Sequence, residues 1–475
     1  MSIQKLLIAN RGEISIRIAR ACAELGIATV AVYSEDDAAS LHVRRADDAR
    51  PLSGVGAAPY LDIAQIVEAA RAAGCDAIHP GYGFLSENAD FARACAAAGI
   101  LFVGPAPEVL ELFGDKAAAR KLAESQQVPV VAGTGAASLE QVRAFMASLG
   151  PDAAIMIKAL AGGGGRGMRA VHDANEVAPA YALCQAEAQA AFGNGALYAE
   201  QLVRRARHIE IQVIGDGSGA VSQLGERECT LQRRNQKLIE IAPSPSLAPP
   251  VRARIADAAL RLAAAVRYRG LGTFEFLLDA DAPAEEARFT FMEANPRLQV
   301  EHTVTEEVTG VDLVKTQLLL AQGKSLAELN LTQAEIPAPH GFAMQLRINM
   351  ETMNAAGEAR PAGGTLAAFE PPSGPGIRVD SFGYAGYTTS PHFDSLLAKL
   401  IVHVRAASYA ELAARAYRAL CEFRVDGVAT NIPLLQALLG HPAVVANDVH
   451  TRFVEDHIGE LLVAAAAPHR RLYVA

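Results

Sequence analysis

The first 113 residues alternate apolar segments with helical ones, and this alternation constrains the fold more than any other feature. Apolar runs at 5–9, 28–33, 77–78 and 101–103 predict strands, whereas 11–25, 63–73 and 88–98 carry apolar residues at helical spacing. Gly26 follows the first helical segment and indicates its end. Strands that alternate with helices form parallel sheets covered on both faces. We therefore predict an α/β fold with a doubly wound N-terminal domain over residues 1–113.

The rest of the chain predicts two further domains, as expected for 475 residues. Residues 114–330 contain helical segments at 116–126 and 251–266. Strands at 154–158 and 168–171 are joined by glycines, and two hairpins pair 209–214 with 220–224 and 273–278 with 289–293. Residues 331–475 combine strands at 343–349, 377–379 and 397–403 with helices at 409–422 and 432–439. This last pattern predicts a mixed α+β domain.

Composition excludes several classes of protein. Hydrophobic residues make up 51% and charged residues 20% of the chain, which argues against global disorder. The formal net charge of −9 gives no nucleic-acid footprint. The six cysteines form no CxxC pair, so we expect buried free thiols in a reducing cytosol. The N-terminus lacks the apolar core and cleavage site of a signal peptide, and no apolar run is long enough to span a bilayer, so we predict a cytoplasmic location.

Residues 291–306 (FMEANPRLQVEHTVTE) alternate polar and apolar side chains. In an extended chain, side chains two residues apart point the same way. The carboxylates at its start suit a divalent metal that holds phosphates, and the later Arg-Gln-Glu positions suit a small anion with a base beside it. The alternative is a half-solvated edge strand, and Pro296 predicts that the strand ends near it. The polar positions are Glu293, Asn295, Arg297, Gln299 and Glu301.

The glycine-rich segment 161–169 (AGGGGRGMR) predicts a loop that covers phosphates. Glycines let the backbone approach a polyphosphate and donate amide hydrogens to it. Lys158 just before the loop, Arg166 within it and Lys116 at a helix start supply positive charge. The alternative is a flexible linker. No Walker motif is present, because no GK[ST] follows a glycine at the required offset.

Glu275 lies in the strand TFEFLL between Phe274 and Phe276, which face the opposite way. A carboxylate that points inward needs a partner, and Glu293 with a divalent cation would supply one. His208 and His302 are better explained as hydrogen-bonded structural residues than as metal ligands, because neither has a second histidine at ligand spacing. On its own, the segment 232–237 (QRRNQK) indicates a solvated loop.

Taken together, these motifs resemble the biotin carboxylases. The resemblance rests on HPGYGFLSEN, GGGGRGMR, RHIEIQV, QRRNQK, TFEF and NPRLQVEHTVTE, which follow the family's order and spacing from Leu7 to about Asp448. Members of this family are ATP-grasp enzymes that use ATP, bicarbonate and Mg²⁺ or Mn²⁺ to carboxylate biotin on a separate carrier. The resemblance implies an ATP-grasp central domain with a mobile lid at about 131–203. It also implies the first half-reaction of an acyl-CoA carboxylase or similar biotin enzyme.

The resemblance also implies a role for each matching residue. Lys116, Lys158 and His208 would contact the nucleotide, Glu200 with the backbone of Gln201 to Val203 would form the adenine hinge, and Gln232 would lie near the ribose or phosphates. Gly164, Gly165, Arg166 and Gly167 would cover the phosphates. Glu275 and Glu293 would bind the metal, with Asn295 beside them. The bicarbonate site would comprise Lys237, Arg297, Gln299, Val300 and Glu301, with Glu301 as the base, and Arg347 would hold carboxyphosphate and stabilise the biotin enolate.

The chain departs from the family pattern at a few positions. Asn235 stands where most members have His, which keeps hydrogen-bonding capacity but loses a titratable group beside the nucleotide. Gln201, Pro296 and Gln345 replace a common Lys, Thr and Glu. None of these changes removes a catalytic residue type. The resemblance implies a homodimer whose surface would include Arg17, Arg20, Glu24 and Arg378.

Two alternatives stay open at this stage. One is another ATP-grasp ligase that activates a carboxylate and joins it to an amine, and the other is a catalytically silent, nucleotide-binding scaffold. Glu301 together with Arg347 favours bicarbonate over a larger acid. The chain has no Met-Lys-Met biotinylation sequence, so we expect a biotin carrier and a carboxyltransferase as partners.

Overall fold

The computed structural model describes residues 2–150, 154–160, 167–203, 205–283, 285, 287–354, 357–405 and 408–473. Its N-terminal part is a five-stranded parallel sheet with strand order β3-β2-β1-β4-β5. The predicted doubly wound domain is thus confirmed. Its strands are β1 (Lys5–Ile8), β2 (Ala28–Tyr33), β3 (Asp48–Pro51), β4 (Ala77–His79) and β5 (Leu101–Phe102), and its helices are α1 (Gly12–Glu24), α2 (Ile63–Ala72), α3 (Ala89–Ala97) and α4 (Pro107–Gly114).

The central part contains a small separate sheet and half of a large one. The small antiparallel sheet has the order β7-β6-β8 and packs against helices α6 and α7. These elements lie within residues 131–203, the range predicted to form a lid. In chain order the elements are α5 (Lys116–Ser125), α6 (Leu139–Ser148), β6 (Ile155–Ala159), β7 (Met168–Val171), α7 (Val177–Phe192), β8 (Leu197–Gln201), β9 (Ala206–Asp216), β10 (Val221–Arg233), β11 (Gln236–Ala242), α8 (Pro249–Ala265), β12 (Arg269–Asp279), β13 (Phe289–Asn295), α9 (His302–Thr309) and α10 (Leu313–Ala321).

The C-terminal part is mixed α+β, as predicted. Helices α11 and α12 pack their apolar sides on strands β14 and β19. In chain order the elements are β14 (Phe342–Asn349), β15 (Glu351–Met353), β16 (Ala359–Pro361), β17 (Ala368–Glu370), β18 (Ile377–Ser381), β19 (Leu396–Val404), α11 (Tyr409–Glu422), β20 (Arg424–Asp426), α12 (Ile432–Gly440), α13 (Pro442–Val445), α14 (Phe453–Asp456) and α15 (Ile458–Ala466).

One eight-stranded antiparallel sheet joins the central and C-terminal parts. Its order is β13-β12-β9-β10-β11-β14-β19-β18, and the pairing of β11 with β14 crosses the predicted boundary at residue 330. Both predicted hairpins are present, as β9–β10 and β12–β13. Side chains from the second and third predicted domains can therefore meet on one sheet face.

The apolar face of this sheet explains why its other face can be polar. Phe274 and Phe276 of β12 are fully buried and pack edge-on against neighbouring rings, including Phe113 and Phe291. Side chains alternate along a strand. Glu275, between the two phenylalanines, therefore projects to the opposite side, as the sequence predicted.

The predicted extended face over residues 291–301 is correct only in its first half. Strand β13 ends at Asn295, immediately before Pro296, as expected from the missing proline N–H. Residues 296–299 are irregular, and Glu301 lies in a turn directly before α9. The polar residues therefore meet because the chain bends, and a strict two-residue period does not place Glu301.

In the part of the chain that the structure describes, no helix is long and apolar enough to cross a membrane. All six cysteines are buried and free, as predicted.

Candidate active site

A row of charged residues crosses four strands of the large sheet. Arg227 on β10 is in register with Glu210 on β9, which is in register with Glu275 on β12, and Glu275 is in register with Glu293 on β13. Residues in register across neighbouring strands project from the same face. The sheet thus brings three carboxylates and one guanidinium together on one face.

Lys237 lies among the carboxylates of this face. From β11, its Nζ donates to Glu210 Oε2 at 2.7 Å, to Glu275 Oε1 at 3.2 Å and to Glu301 Oε1 at 2.6 Å. Burial opposes the charge on this lysine, but the surrounding acidic groups raise its pKa well above the ordinary value. Lys237 is therefore a fixed cation that joins the metal-type carboxylates to the predicted base.

Arg347 approaches Glu301 from the other side. Its Nη2 donates to Glu301 Oε2 at 3.0 Å and its Nε to Glu240 Oε1 at 2.5 Å. Burial acts to raise the pKa of Glu301, but Lys237 and Arg347 outweigh it and hold that pKa well below its usual range. Glu301 is thus an ionised carboxylate between two cations.

The Glu275 carboxylate forms hydrogen bonds with several of the predicted site residues. Its Oε2 lies 2.6 Å from His208 Nε2, and its Oε1 accepts from Asn295 Nδ2 at 2.8 Å and Gln299 Nε2 at 3.1 Å. Burial alone would raise the pKa of Glu275, but Lys237 and His208 lower it below the ordinary value. His208 contacts a predicted metal ligand rather than standing apart as a core histidine.

Arg297 lies at the rim of the cluster. Its Nη1 donates to Gln299 Oε1 at 2.8 Å and its Nη2 to Asn295 Oδ1 at 3.2 Å. Its Nε lies 3.3 Å from the carboxylate of Glu87, in the loop that follows β4. The side chain is half-buried, so part of the guanidinium can reach an incoming anion.

A divalent cation would offset the unfavourable charge of the Glu293 carboxylate. Burial and the nearby charge of Glu275 raise its pKa. Among the residues that the structure describes, no cationic side chain pairs with Glu293, although the charge of Lys116 acts on it from the start of α5. Two facing carboxylates with carboxamide oxygens nearby are the donors that Mg²⁺ and Mn²⁺ accept. The residues therefore suit the predicted metal.

The predicted lid places two of its charged residues together. Lys158 on β6 forms an ion pair with Glu200 on β8. Gly167 belongs to the predicted phosphate loop and has φ of +67°, a conformation that favours glycine. Its carbonyl accepts from Ala159 N at 2.9 Å. Gly164, Gly165 and Arg166 lie outside the described residues.

The predicted hinge begins in the last two residues of β8, Glu200 and Gln201, and continues to Val203. Gln201 N donates to Ala132 O, and Leu202 N donates to Ala154 O, each at 2.8 Å. Val203 follows as half-buried, irregular chain. These backbone bonds fix the path of the chain where the lid joins the large sheet.

The segment 232–237 is not the solvated loop that its composition alone indicates. It contains the end of β10, a two-residue turn and the start of β11. Gln232 is buried and donates to Cys229 O at 3.2 Å. The turn residues Arg234 and Asn235 have φ of +48° and +66°, which is a tight hairpin turn in which Asn is favoured. Asn235 is therefore exposed at the tip of the hairpin.

Other predicted residues have structural contacts. Val300 O accepts from Lys399 Nζ at 3.1 Å, and His302 is buried with its Nδ1 2.7 Å from Gln299 O. Arg17 is buried and pairs with Glu306 at 2.8 Å inside the chain. Of the predicted dimer residues, Arg20 and Glu24 have exposed side chains and Arg378 a partly exposed one.

Three site residues were not predicted from the sequence. Glu210 contacts Lys237, and Glu240 contacts Arg347. Arg227 contacts Glu210. A signal existed in β9, where His208, Glu210 and Gln212 alternate with Ile209, Ile211 and Val213. That two-residue period marks one polar face of a buried strand.

Comparison with known proteins identifies the family. The family model "Biotin carboxylase, N-terminal domain" matches residues 2–110, "Carbamoyl-phosphate synthase L chain, ATP binding domain" matches 115–329, and "Biotin carboxylase C-terminal domain" matches 345–456. The mitochondrial pyruvate carboxylase of Mus musculus is 47% identical over 461 residues, which are 96% of this chain and 38% of that protein. The chain thus spans 38% of the length of this relative.

Solved structures agree. The biotin carboxylase domain of a single-chain bacterial carboxylase is 49% identical, with a TM-score of 0.86 over 98% of this chain and 99% of that one. The biotin carboxylase domain dimer of Hydrogenobacter thermophilus 2-oxoglutarate carboxylase, in complex with MgADP, ADP and bicarbonate, is 39% identical, with a TM-score of 0.89 over 99% and 100%. The chain belongs to the biotin carboxylase family. It has the three-domain architecture of that family and is an ATP-dependent ligase.

Proposed function

We propose that this chain carboxylates biotin on a carrier protein or domain, using ATP and bicarbonate and passing through carboxyphosphate. The observation that supports this most directly is the placement of Glu301 between Lys237 and Arg347, beside the Glu275–Glu293 pair. A base between two cations suits a small anionic substrate, because the same cations can bind the substrate when it arrives.

In this proposal the chain's own residues orient the phosphates and the anion. Lys116, Lys158 and His208 hold the nucleotide, Glu200 and the backbone from Gln201 to Val203 hold the adenine, and Gln232 and Asn235 lie beside it. Residues 164–167 cover the phosphates. Glu275 and Glu293, with Asn295, hold a Mg²⁺ or Mn²⁺ ion, which offsets negative charge during phosphoryl transfer. The lid over about 131–203 closes and excludes water.

In this proposal the chemical steps take place beside Glu301 and Arg347. Lys237, Arg297, Gln299 and the backbone of Val300 position bicarbonate, and Glu301 takes its proton so that it attacks the γ-phosphorus. The phosphorus–oxygen bond to ADP breaks as carboxyphosphate forms. Carboxyphosphate then breaks down to carbon dioxide and phosphate, and this phosphate takes the ureido N–H proton of biotin. Arg347 stabilises the resulting enolate, which attacks the carbon dioxide.

The partners belong to the same proposal. Biotin arrives on a carrier, and a carboxyltransferase passes the carboxyl group to its acceptor. We propose domain limits of 1–113, 114–330 and 331–475, a cytoplasmic location and a homodimer whose surface includes the exposed Arg20 and Glu24. Sedimentation analysis of wild-type protein and of Arg20→Glu tests the dimer, since the variant should shift the population toward monomer.

The acceptor we propose is an acyl-CoA, as in acyl-CoA carboxylases. The named relatives are carboxylases of pyruvate and 2-oxoglutarate, so a 2-oxo acid is the competing acceptor. Labelled bicarbonate with the carrier and transferase partners would distinguish them. Label in an acyl-CoA product supports the proposal, and label in a carboxylated 2-oxo acid contradicts it.

Hydrolysis of ATP tests the proposed reaction. Turnover should require bicarbonate, rise with free biotin and collapse in Arg347→Ala. Arg418→Ala removes an exposed arginine of α11 and serves as the matched control. Hydrolysis that is indifferent to bicarbonate and biotin would instead support another ATP-grasp substrate.

A further inference from the structure

Arg227 is the largest fully buried side chain of the described residues. It lies on β10, on the same sheet face as Glu210 and Glu275. Its guanidinium forms an ion pair through Nε with Glu210 and donates through Nη1 to Gln212 Oε1 at 2.7 Å. Burying a charge without partners is strongly unfavourable. The polar groups around Arg227 are therefore arranged for a cation at this position.

Glu210 connects Arg227 to the active site. One carboxylate oxygen of Glu210 pairs with Arg227, and the other accepts from Lys237 Nζ at 2.7 Å. The same Nζ donates to Glu301 at 2.6 Å. The four side chains form a line of alternating charge that runs from the sheet interior to the predicted base.

A second connection runs through helix α9, which begins directly after Glu301. Arg227 Nη1 donates to Thr305 Oγ1 of this helix at 3.0 Å, and Nη2 donates to Thr273 Oγ1 of β12 at 3.0 Å. One planar side chain therefore links β9, β12 and the first turn of α9. β9 and β12 carry Glu210 and Glu275, and α9 begins directly after Glu301.

The charge of Arg227 balances an excess of carboxylates. Lys237 contacts Glu210, Glu275 and Glu301 together, and Arg347 adds a second cation at Glu301. Without Arg227, Lys237 would be left to balance the charge of Glu210, which would draw the ammonium toward itself. Lys237 has one flexible side chain, so a closer contact of its Nζ with Glu210 moves Nζ away from Glu301.

We propose that Arg227 is a positioning residue for the carboxylation reaction: by pairing with Glu210 and Thr305 it holds Lys237 and Glu301 at the geometry required to bind and deprotonate bicarbonate. This inference rests on the proposed function. Arg227 contacts no substrate and acts through its neighbours.

Removing the charge of Arg227 alone, and then together with that of Glu210, tests the link through Glu210. Arg227→Met should lower kcat for bicarbonate-dependent ATP hydrolysis about tenfold or more and raise the KM for bicarbonate, with the KM for ATP changed less than about threefold. The double variant Arg227→Met/Glu210→Gln removes both charges. Its kcat should be at least about threefold higher than that of Arg227→Met. The acid limb of the pH–rate profile should move to higher pH in Arg227→Met and back in the double variant.

A milder pair of variants keeps the test valid if Arg227→Met does not fold. Thr305→Val removes the α9 link and should lower kcat about threefold, also at temperatures well below its thermal midpoint, where the variant is fully folded. Thr309→Val is the matched control, because its hydroxyl donates within the same helix, to Thr305 O, and has no bond to Arg227. It should leave kcat unchanged.

The outcomes separate this inference from the proposed function. No bicarbonate-dependent hydrolysis by the wild-type chain contradicts the proposed function itself. If wild type is active and Thr305→Val equals Thr309→Val, positioning through α9 is wrong. If the double variant loses as much as or more than the product of the two single losses, Arg227 does not act by balancing the charge of Glu210.

Discussion

Glu301 and Arg347 are joined by a hydrogen bond of 3.0 Å from Nη2 to Oε2, while Lys237 holds the other oxygen of Glu301 at 2.6 Å. The two cations come from β11 and β14, neighbouring strands that belong to different predicted domains. A carboxylate held by two cations accepts protons weakly. An anionic substrate that binds the same cations would raise the pKa of Glu301 and make it a stronger base at the moment of binding.

The first prediction concerns pH. Because Lys237 and Arg347 lower the pKa of Glu301, its ion pairs stabilise the fold fully above its unfolded pKa of about 4.3, and this contribution is lost as pH falls through the lower folded pKa. Arg347→Met should raise that folded pKa. The gap between its folded and unfolded pKa then narrows, so we expect thermal stability to fall less in this variant than in wild type on acidification from about pH 7 to about pH 3. An equal fall in both proteins would contradict the assigned pairing.

The second prediction concerns the base itself. Glu301→Gln keeps the size of the side chain and removes its charge, so bicarbonate-dependent turnover should fall about 10²- to 10⁴-fold. The KM for ATP should change little, because the nucleotide residues are elsewhere. Glu411→Gln on the exposed face of α11 is the control for the same chemical change. A variant with normal turnover would remove Glu301 from the reaction.

The third prediction concerns the metal. Burial and the charge of Glu275 raise the pKa of Glu293, so its ionised form is unfavourable without a bound cation. Glu293→Gln should therefore raise the Mg²⁺ concentration for half-maximal activity about tenfold or more, yet leave metal-free thermal stability equal or higher. Parallel titrations and melting curves would show this. Lower stability with unchanged Mg²⁺ dependence would mean that Glu293 has a structural role only.

The fourth prediction concerns Asn235. Its φ of +66° in a two-residue turn favours Gly and disfavours β-branched residues. Asn235→Gly should be neutral or slightly stabilising, and Asn235→Val should lower the free energy of unfolding by about 1 to 2 kcal/mol. Asn235→His restores the family's common residue, and we expect it to fold normally and to change the KM for ATP. An unchanged KM would place Asn235 outside the nucleotide site.

Much of the fold could be predicted because local patterns were strong. Strands β2 and β7 and helix α11 lie where the apolar periodicity places them. Helix α7 was not predicted, because its Ala-rich sequence has little difference between its faces. The continuity of the large sheet between β11 and β14 is a long-range pairing and leaves no local signal.

The site shows the same division. Glu275 was predicted to point inward because its aromatic neighbours fix the strand face. The partner predicted for it, Glu293, lies in register on the neighbouring strand, and the shared cation stays a prediction. The contacts of Glu275 with His208, Lys237, Asn295 and Gln299 were not predicted. Arg227 was missed because its importance comes from its strand register with Glu210, which only the folded sheet defines.

Biotin-stimulated, bicarbonate-dependent hydrolysis of ATP by the purified chain with Mg²⁺ tests the central claim most directly. The assay compares wild type with Glu301→Gln and Glu411→Gln, with and without free biotin. We expect turnover that needs bicarbonate, increases with biotin and is lost only in Glu301→Gln. Turnover that proceeds equally without bicarbonate, or that survives in Glu301→Gln, would contradict it.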